Sequence, residues 1–232
     1  MANTHSADLE RGSSQYFTRA DTASLSITGN GTWEAWVKIE DLSIRCPLFY
    51  KFQDTGAQKS YFFEIKNDGR TSVGISSDGS AYTAVNIGTA GDFTTGTWTH
   101  VAFVYTAASG KVEVFKNGVS IGSNSTLPTA IYNSTETFVI GADTFYSTYF
   151  DGMIDEVRVW NTARTGANIL ADYQTQLSGG ESNLQAYWKL DNALTDSTAN
   201  ANTLTNVNSV TFTSDVPFGG YTPKHFQLLG IG

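Results

Sequence analysis

The sequence predicts an all-β protein folded as a two-sheet antiparallel sandwich with one short helix. The first observation is that many short segments alternate apolar and polar residues, which is the period of a β-strand. The second is that Asp-Gly and Asn-Gly pairs separate several of these segments, and such pairs favour tight turns between antiparallel strands. The third is size, because 232 residues with 40% hydrophobic side chains can bury the core of one large β-domain.

The strands of the N-terminal half are the most regular. Residues 32–40 (TWEAWVKIE) predict a strand with two faces, one with Trp33, Ala35, Val37 and Ile39 and the other with Glu34, Trp36 and Lys38. Residues 60–87 predict three strands joined at Asp68-Gly69 and Asp78-Gly79. Both pairs suit two-residue hairpins, so these strands are expected to be sequential neighbours in one sheet.

The C-terminal half continues the pattern. Residues 97–123 predict another three-stranded meander with Asn117-Gly118 at its second turn. Single strands are predicted at residues 136–142, 152–160, 183–191 and 207–213. The total is then about eleven to thirteen strands. One helix is predicted over 165–177, capped by Thr165, with an apolar stripe of Ile169, Leu170, Tyr173 and Leu177.

The two ends of the sequence differ in character. Residues 1–218 are expected to form the sandwich domain. Residues 219–232 open on two glycines and end in the apolar sequence FQLLGIG. Exposure of such a segment to water is costly, so this tail is expected to dock on the same protein or on a neighbouring chain.

Composition excludes several classes of protein. The formal net charge is −8 and lysine and arginine are scattered singly, so nucleic-acid binding is not expected. No apolar run is long enough to predict insertion into a membrane. The single cysteine, Cys46, excludes an intrachain disulfide and is expected to be semi-buried. The N-terminus lacks a signal-peptide pattern, and the expected location is extracellular or on a virion surface.

Three ordered motifs within residues 9–218 carry a resemblance to a known family. They are SSQYFTRADTASLSITGNGTWEAWVKIE, GTWTHVAFVYTAASGKVEVFKNGVSIG, and FDGMIDEVRVWNTART followed by a helix and LSGGESNLQAYWKLDNALTDSTANANTLT. Together they resemble the laminin G-like, pentraxin-like branch of the concanavalin A-like lectin/glucanase superfamily. The resemblance implies a jelly-roll sandwich. It leaves function open, because the family includes glycan-binding and adhesion modules, domains appended to hydrolases, and viral surface proteins.

Three carboxylates in residues 149–165 raise the question of catalysis. They belong to Asp151, Asp155 and Glu156. Strand alternation places Asp151 and Asp155 on one face and Glu156 on the other. Hydrolases of this superfamily need an acid where this chain has Met153, because their motif is Glu-x-Asp-x-x-Glu. The sequence therefore predicts no enzyme activity at these residues.

A structural role is the alternative for this segment. Asp155 is expected to be buried and to accept hydrogen bonds from a neighbouring loop, because a buried carboxylate needs partners. Glu156, Arg158 and Trp160 are expected to share the opposite face. If this strand pairs with the strand at 32–40, Glu34 and Arg158 are predicted to form a salt bridge.

Calcium enters through the resemblance alone. Pentraxin-like members bind calcium at a loop rim, and the matching loops here are residues 52–60 and 141–152. The resemblance places Asp54 and Asp143 in that region, and Asp151 at the end of the second loop is the third candidate ligand. Calcium takes six to eight oxygen ligands. Asp151 can instead be a turn residue, and Asp196 either binds a separate calcium or forms an Asx-turn.

Aromatic residues concentrate in the same loop. Phe145, Tyr146 and Tyr149 lie within residues 145–150, together with Phe150, and Tyr82 lies in another loop. Exposed aromatic side chains mark interfaces. Tyr82, Phe145, Tyr146 and Tyr149 are therefore the predicted ligand-binding residues, although some of these aromatics can instead close the end of the core.

Two functions remain after these steps. The first is a non-catalytic binding or adhesion module that recognises glycans or another cell-surface ligand through its rim loops, with calcium as the candidate cofactor. The second is a structural virion protein, such as a capsid decoration or a fibre- or tail-associated subunit, in which the tail docks on capsid or other structural proteins. Homo-oligomers are compatible with both.

Overall fold

Two antiparallel sheets form a sandwich in the computed structural model, which describes residues 3–219. The first sheet contains β1 (Ser6–Leu9), β3 (Gly31–Ile39), β8 (Thr99–Thr106), β9 (Lys111–Lys116), β10 (Val119–Asn124), β14 (Gly152–Trp160), β15 (Leu184–Trp188) and β17 (Thr211–Thr213). Its order is β10-β9-β8-β3-β14-β1-β17, and β15 also pairs with β14. The predicted all-β, two-sheet fold is confirmed.

The second sheet covers the other side of the core. It contains β2 (Tyr16–Arg19), β4 (Cys46–Gln53), β5 (Gln58–Ile65), β6 (Thr71–Ile75), β7 (Thr83–Ile87), β11 (Phe138–Ile140) and β16 (Thr205–Val207). Its order is β16-β2-β11-β4-β5-β6-β7. The short strands β12 (Ala142–Asp143) and β13 (Thr148–Tyr149) form a separate ribbon.

Helical structure is limited to a few turns. The α-helix α1 covers Gly166–Asp172, and 3-10 turns cover Arg11–Ser13, Ala23–Leu25 and Ala107–Ser109. Within residues 3–219, no helix has the length and apolar character needed to span a membrane. The predicted tail lies outside the described residues after Gly219. The domain boundary at residue 218 and the docking of the tail stay predictions.

Alternation along β3 builds the core. Its apolar face, Trp33, Ala35, Val37 and Ile39, is buried between the sheets, as the sequence predicts. Trp33 packs against Tyr61 and Phe63 of β5, with ring centroids 4.8 and 4.6 Å apart. Large aromatic side chains therefore join the two sheets.

The turns show which of the Asn-Gly and Asp-Gly pairs form the predicted two-residue hairpins. Asn117 and Gly118 have φ of 50° and 77° and link β9 to β10 directly, as expected for a two-residue hairpin. The predictions of two-residue hairpins at Asp68-Gly69 and Asp78-Gly79 are wrong, because residues 66–70 and 76–82 separate the strands there. The Asp78 carboxylate accepts from the backbone N–H groups of Ser80 and Ala81, which stabilises a wider loop.

Helix α1 is shorter than predicted. The Thr165 hydroxyl caps it by accepting from the backbone N–H of Asn168 at 3.2 Å. The carbonyls of Asp172 and Thr175 accept from the buried Arg158 at 3.2 and 2.6 Å, so they stabilise a non-helical path after the helix. Of the predicted stripe, Ile169 is buried and Leu170 is exposed.

The predicted strand at 207–213 is two strands in different sheets. β16 ends at Val207 and β17 begins at Thr211, and Asn208 and Ser209 between them both have φ of 61°. The Asn206 side chain closes this turn, since it accepts from the Val210 N–H at 2.7 Å and donates to the Val210 carbonyl at 2.9 Å. The chain thus crosses from one sheet to the other within three residues.

A β-bulge in β14 makes the predicted alternation wrong. Asp155 pairs with Trp36 and Arg158 pairs with Glu34, so two residues of β14 lie opposite one residue of β3. Glu156 has φ of 53°. Ile154 and Val157 both contact the core, so the bulge leaves Asp155 and Glu156 together on the outer face of the first sheet.

The outer face of the first sheet buries a charge network of Glu34, Glu156, Arg158, Arg164 and His100. Register places Glu34 beside Arg158, as predicted, but the predicted salt bridge between them is replaced. Arg164 donates to Glu34 at 2.6 Å, and Arg158 donates to Glu156 at 3.1 Å. His100 Nε2 lies 3.4 Å from Glu34 Oε2. Glu34 and Glu156 are therefore both buried and each pairs with an arginine.

The pKa values within the network diverge. Burial works to raise the pKa of Glu34, but hydrogen bonding to His100 and the charge of Arg164 lower it to about 2. Burial raises the pKa of Glu156 and lowers that of His100. Asp155 accepts from the Asn3 amide at 2.7 Å, and burial raises the pKa of its carboxyl well above the usual range.

Candidate functional site

The outer face of the second sheet carries an aromatic cluster separate from the core. Alternation along β5 turns Phe62 and Glu64 outward, because Tyr61, Phe63 and Ile65 fill the core. Tyr50 and Phe52 of β4 lie beside Phe62. We call this surface the aromatic face, defined by Tyr16, Tyr50, Phe52, Phe62, Tyr82, Tyr146 and Tyr149.

The rings of the aromatic face pack at right angles and in stacks. Phe62 stacks on Tyr50 with centroids 5.4 Å apart and meets Phe52 edge-on at 5.4 Å. Tyr82 meets Phe52 edge-on at 5.2 Å. Opposite Phe62 on β6 is Gly74, where an added Cβ would lie 2.0 Å from the Phe62 ring. The absence of a side chain at Gly74 lets the Phe62 ring lie flat on the sheet.

Arg45 joins this face to its polar edge. Its guanidinium donates to Glu64 at 2.5 Å, to Asp143 at 2.6 Å and to the Tyr50 hydroxyl at 2.7 Å. The Tyr50 hydroxyl also donates to Glu64. Burial disfavours the charge of Arg45, but its anionic neighbours outweigh burial and raise its pKa. One arginine is therefore held between two carboxylates at the entrance to the rings.

A second ion pair lies at the exposed end of the aromatic face. Lys59 Nζ lies 2.9 Å from Asp54 Oδ1 and 5.9 Å from the centroid of the Tyr82 ring. The Tyr146 hydroxyl donates to Asp54 Oδ2 at 3.0 Å. Hydrogen bonds from Lys59 and Tyr146 lower the pKa of Asp54. Arg45 lies 5.9 Å from the centroid of the Tyr146 ring, so both cations contact exposed tyrosines.

These side chains enclose two adjoining cavities. The aromatic cavity, about 150 Å³, is lined by Arg45, Tyr50, Phe52, Phe62, Glu64, Tyr82, Asp143 and Tyr146. The side groove, about 400 Å³, is lined by Ser43, Ile44, Arg45, Glu64, Lys66, Asn67 and Thr148. The Arg45–Glu64 ion pair lines both, so the two cavities adjoin along that pair.

The predicted ligand-binding residues divide into two groups. Tyr82 and Tyr146 line the aromatic cavity and are 48% and 59% exposed. Phe145 is 38% exposed and packs edge-on against Tyr146, outside the cavity lining. Tyr149 is half-buried and packs against Tyr16 with centroids 5.9 Å apart. Phe150, from the same loop, is buried in the core.

Among the described residues, the three predicted calcium ligands do not form a group whose oxygens lie within 4.8 Å of one another. Asp143 and Asp54 each accept from a cation, Arg45 and Lys59 respectively. Asp151 accepts from the backbone N–H of Arg11 at 3.0 Å. Because the carboxylates of Asp54 and Asp143 already pair with positive side chains, the three predicted ligands do not fit a calcium ion.

Other acids lie outside the set of three predicted calcium ligands. Within residues 3–219, Asp8, Glu10 and Glu40 form one acidic group whose oxygens lie within 4.8 Å of one another. Asp196 accepts from the backbone N–H groups of Tyr187, Thr198 and Asn202 at 2.8–3.0 Å, in agreement with the Asx-turn alternative.

The sequence pattern alone did not predict Arg45, Tyr50, Phe52, Phe62 and Glu64 as site residues. The available signal was the alternation of β4 and β5, CPLFYKFQ and QKSYFFEI, which places aromatic residues on both faces of the second sheet. An aromatic outer face is unusual for a sandwich strand, whose solvent side is ordinarily polar.

Cys46, at the start of β4, is fully buried, and burial raises its thiol pKa to about 12.

Comparison with known proteins identifies the family of this fold. Residues 11–170 match the laminin G family model described as the concanavalin A-like lectin/glucanases superfamily. A search of curated protein sequences returns no significant match.

Solved structures share the fold at low sequence identity. A candidate carbohydrate-binding protein from Bacteroides ovatus has a TM-score of 0.71 and 17% identity over 94% of this chain, which spans 62% of that protein's length. A heptameric SAP-like pentraxin from Limulus polyphemus has a TM-score of 0.60 and 12% identity, with 93% and 97% of the two chains covered.

A third solved structure was determined with a glycan. It is the CBM40 of Ruminococcus gnavus IT-sialidase, bound to α2,3-sialyllactose, with a TM-score of 0.56, 14% identity and 74% and 98% coverage of the two chains. At this identity the likeness is one of fold. The two-sheet sandwich and the family match over residues 11–170 together show that this chain belongs to the laminin G branch of the concanavalin A-like lectin/glucanases superfamily.

Proposed function

We propose that this chain is a non-catalytic carbohydrate-binding module that takes its glycan on the aromatic face. The observation that carries the proposal is the aromatic cavity, where the exposed rings of Tyr82 and Tyr146 adjoin the polar atoms of Arg45, Glu64 and Asp143. Binding sites for small ligands combine apolar, aromatic walls with a few fixed polar groups. A sugar ring offers both an apolar C–H face and hydroxyl groups to such walls.

Preorganisation supports this proposal. The guanidinium of Arg45 is fixed by Glu64, Asp143 and Tyr50, and the Tyr146 hydroxyl is fixed by Asp54. Ligand binding therefore immobilises few side chains that were free before, which reduces its entropic cost. The carbohydrate-binding proteins among the structural neighbours are consistent with the same use of the fold.

The proposal excludes hydrolysis by the acids of β14. Asp155 and Glu156 are fully buried on the outer face of the other sheet. Arg158 and Tyr187 donate hydrogen bonds to the Glu156 carboxylate, and Asn3 donates one to the Asp155 carboxylate. A glycosidic bond needs two carboxylates that can reach it from either side. We place the module on an extracellular surface, where polysaccharides occur.

The virion alternative has weaker support. One of its motives is the apolar tail, of which residues 220–232 lie outside the described part of the chain. The aromatic face, by contrast, offers a cavity in which exposed rings adjoin fixed polar groups. The binding module is therefore the function that we propose.

A glycan array followed by isothermal titration calorimetry tests the proposal. Tyr146→Ala and Tyr82→Ala are each expected to weaken binding by about tenfold or more, because each removes an exposed ring of the cavity. Val119→Ala is the matched control, since Val119 is exposed on β10 of the other sheet. Equal affinity of all four proteins for every bound glycan would place the site elsewhere, and no binding to any glycan would refute the proposal.

A further inference from the structure

The charges around the aromatic cavity point to a particular class of glycan, an inference that rests on the function proposed above. The cavity is lined by one cation, Arg45, and two anions, Glu64 and Asp143. Glu64 and Asp143 are both buried, so water and salt screen them poorly. The lining thus carries a formal charge of −1 in a chain whose net charge is −8.

The hydrogen bonds of Arg45 sharpen this point. An arginine that recognises a carboxylate or sulfate needs donors directed at the ligand. Arg45 Nη1 donates to Glu64 and Tyr50, and Arg45 Nη2 donates to Asp143 at 2.6 Å and to Thr148 at 3.4 Å. Both terminal nitrogens therefore already have carboxylate partners, and an anionic ligand would have to displace one.

The second cation at this surface is held in the same way. Lys59 Nζ donates to the Ser80 carbonyl at 2.7 Å and lies 2.9 Å from Asp54. Lys66 lines the side groove and is not part of the aromatic cavity lining. A sugar ring held among the aromatic side chains thus meets two buried carboxylates, and both described cations beside it, Arg45 and Lys59, already have anionic partners.

We infer that the aromatic cavity selects uncharged glycans and rejects those whose bound sugar carries a carboxylate or a sulfate. Hydroxyl groups of a neutral sugar can donate to the remaining lone pairs of Glu64 and Asp143, which accept hydrogen bonds. An anionic group at the same place adds a third negative charge beside two poorly screened ones, and like charges at an interface oppose binding. Selection against anionic glycans follows from this repulsion.

Pairs of related glycans, one neutral and one anionic, test the inference. Suitable probes are lactose and α2,3-sialyllactose, oligogalactose and oligogalacturonate, and xylo-oligosaccharides with and without glucuronyl groups. The neutral member of each bound pair is expected to bind about tenfold more tightly or better. Its affinity is expected to change little with salt, and the weaker binding of the anionic member is expected to persist as salt is added, because the two buried carboxylates are poorly screened.

A charge-neutralising variant locates the effect. Glu64→Gln removes one carboxylate beside Arg45 and is expected to reduce the preference for neutral glycans by about tenfold. Glu113→Gln is the matched control, because Glu113 also pairs with a cation, Lys111 at 2.8 Å, but lies on β9 of the other sheet. The control changes the net charge by the same amount and is expected to keep the preference.

The outcomes separate this inference from the proposed function. Tight binding of anionic glycans with loss of affinity in salt would overturn the inference and leave the carbohydrate-binding function standing. An unchanged preference in Glu64→Gln would also overturn it. Binding to no glycan of either kind would overturn both.

Discussion

The outer faces of the two sheets use similar chemistry for different ends. On the second sheet, Arg45 lies between Glu64 and Asp143 and contacts the Tyr50 hydroxyl. On the first sheet, Arg158 pairs with Glu156, and Tyr187 donates to the same carboxylate. The side chain of Arg45 is 28% exposed, whereas that of Arg158 is 0% exposed.

The difference between the faces comes from what covers them. Helix α1 and the residues after it lie over the first sheet, where Ile169 packs against Ala102 and Val104. The carbonyls of Asp172 and Thr175 accept further hydrogen bonds from Nη1 and Nη2 of Arg158. On the second sheet the corresponding arginine lines an open cavity. A cluster of arginine, acid and tyrosine is therefore buried where α1 covers it and solvent-accessible where nothing described covers it.

Removal of the covered arginine is expected to have the largest effect. Arg158→Met leaves the buried carboxylate of Glu156 without its cation, and loss of one partner of a buried pair costs about 3–5 kcal/mol. Urea denaturation measures this loss of unfolding free energy. Arg45→Met is the matched comparison, and it is expected to lose glycan binding with a smaller loss of stability. Equal destabilisation by both would remove the distinction between the faces.

The next largest effect is expected at Gly74. Gly74→Ala places a Cβ against the Phe62 ring, 2.0 Å away before relaxation, and overpacking of this kind costs about 1–3 kcal/mol. The displaced ring is also expected to weaken glycan binding. Gly29→Ala, where no atom lies within 4 Å of the added Cβ, is the control. Thermal unfolding together with calorimetry reports both effects, and a fully stable Gly74→Ala protein would contradict the packing described.

Substitution of the buried acids on the outer face of the first sheet is expected to change the stability less, and the sign of the change can be predicted. Burial raises the pKa of Asp155, so the folded state holds this proton more tightly than the unfolded chain, and the associated stability is lost as pH rises. Asp155→Asn is expected to stabilise the protein by about 1 kcal/mol at pH 7, with a gain that shrinks toward pH 4. Its amide N–H groups also offer a donor to the buried Asn3 Oδ1, which has no hydrogen-bond partner among the described residues.

Glu34 is the control, because its substitution is expected to change the stability in the opposite direction. Its pKa is lowered from 4.5 to about 2, so the stability that it contributes is present above 4.5 and is lost as pH falls toward 2. Glu34→Gln is expected to destabilise the protein at pH 7. Denaturation curves at several pH values distinguish the two, and the same sign for both variants would contradict the assigned charge states.

The smallest effect is expected from calcium. Arg45 and Lys59 already neutralise Asp143 and Asp54 on the open face. Glycan affinity is therefore expected to stay within about twofold when calcium is replaced by chelator. Titration calorimetry in both buffers measures this, and abolition of binding by chelator would restore the calcium site that the family resemblance implies.

Particular elements show how far the sequence alone leads. Alternation along β3 predicts its buried face, and Asn117-Gly118 predicts its hairpin. The bulge at Asp155 and Glu156 could not be predicted, because an extra residue in a strand leaves no local signal in an apolar run. The length of α1 could not be predicted either, because Arg158, which belongs to β14, donates to the carbonyl of Asp172 at the end of the helix.

The candidate site was predicted only in part. Tyr82 and Tyr146 lie in loops, where aromatic residues stand out, and both line the cavity. Tyr149 was chosen by the same rule but packs on Tyr16. The resemblance places Asp54 and Asp143 in the calcium region of the family, and in this structure their carboxylates pair with Lys59 and Arg45.

The sequence by itself determined the two-sheet fold, the buried faces of the strands and the aromatic character of the loop at 145–150. These properties follow from periodicity and turn chemistry, which act between residues close in the chain. Only the tertiary structure decided which charged cluster is covered and which is open. Asp143 and Arg45 are 98 residues apart in sequence, and α1 shields one sheet and not the other. Such contacts depend on how distant elements pack, because the same local pattern is compatible with a covered face or an open one.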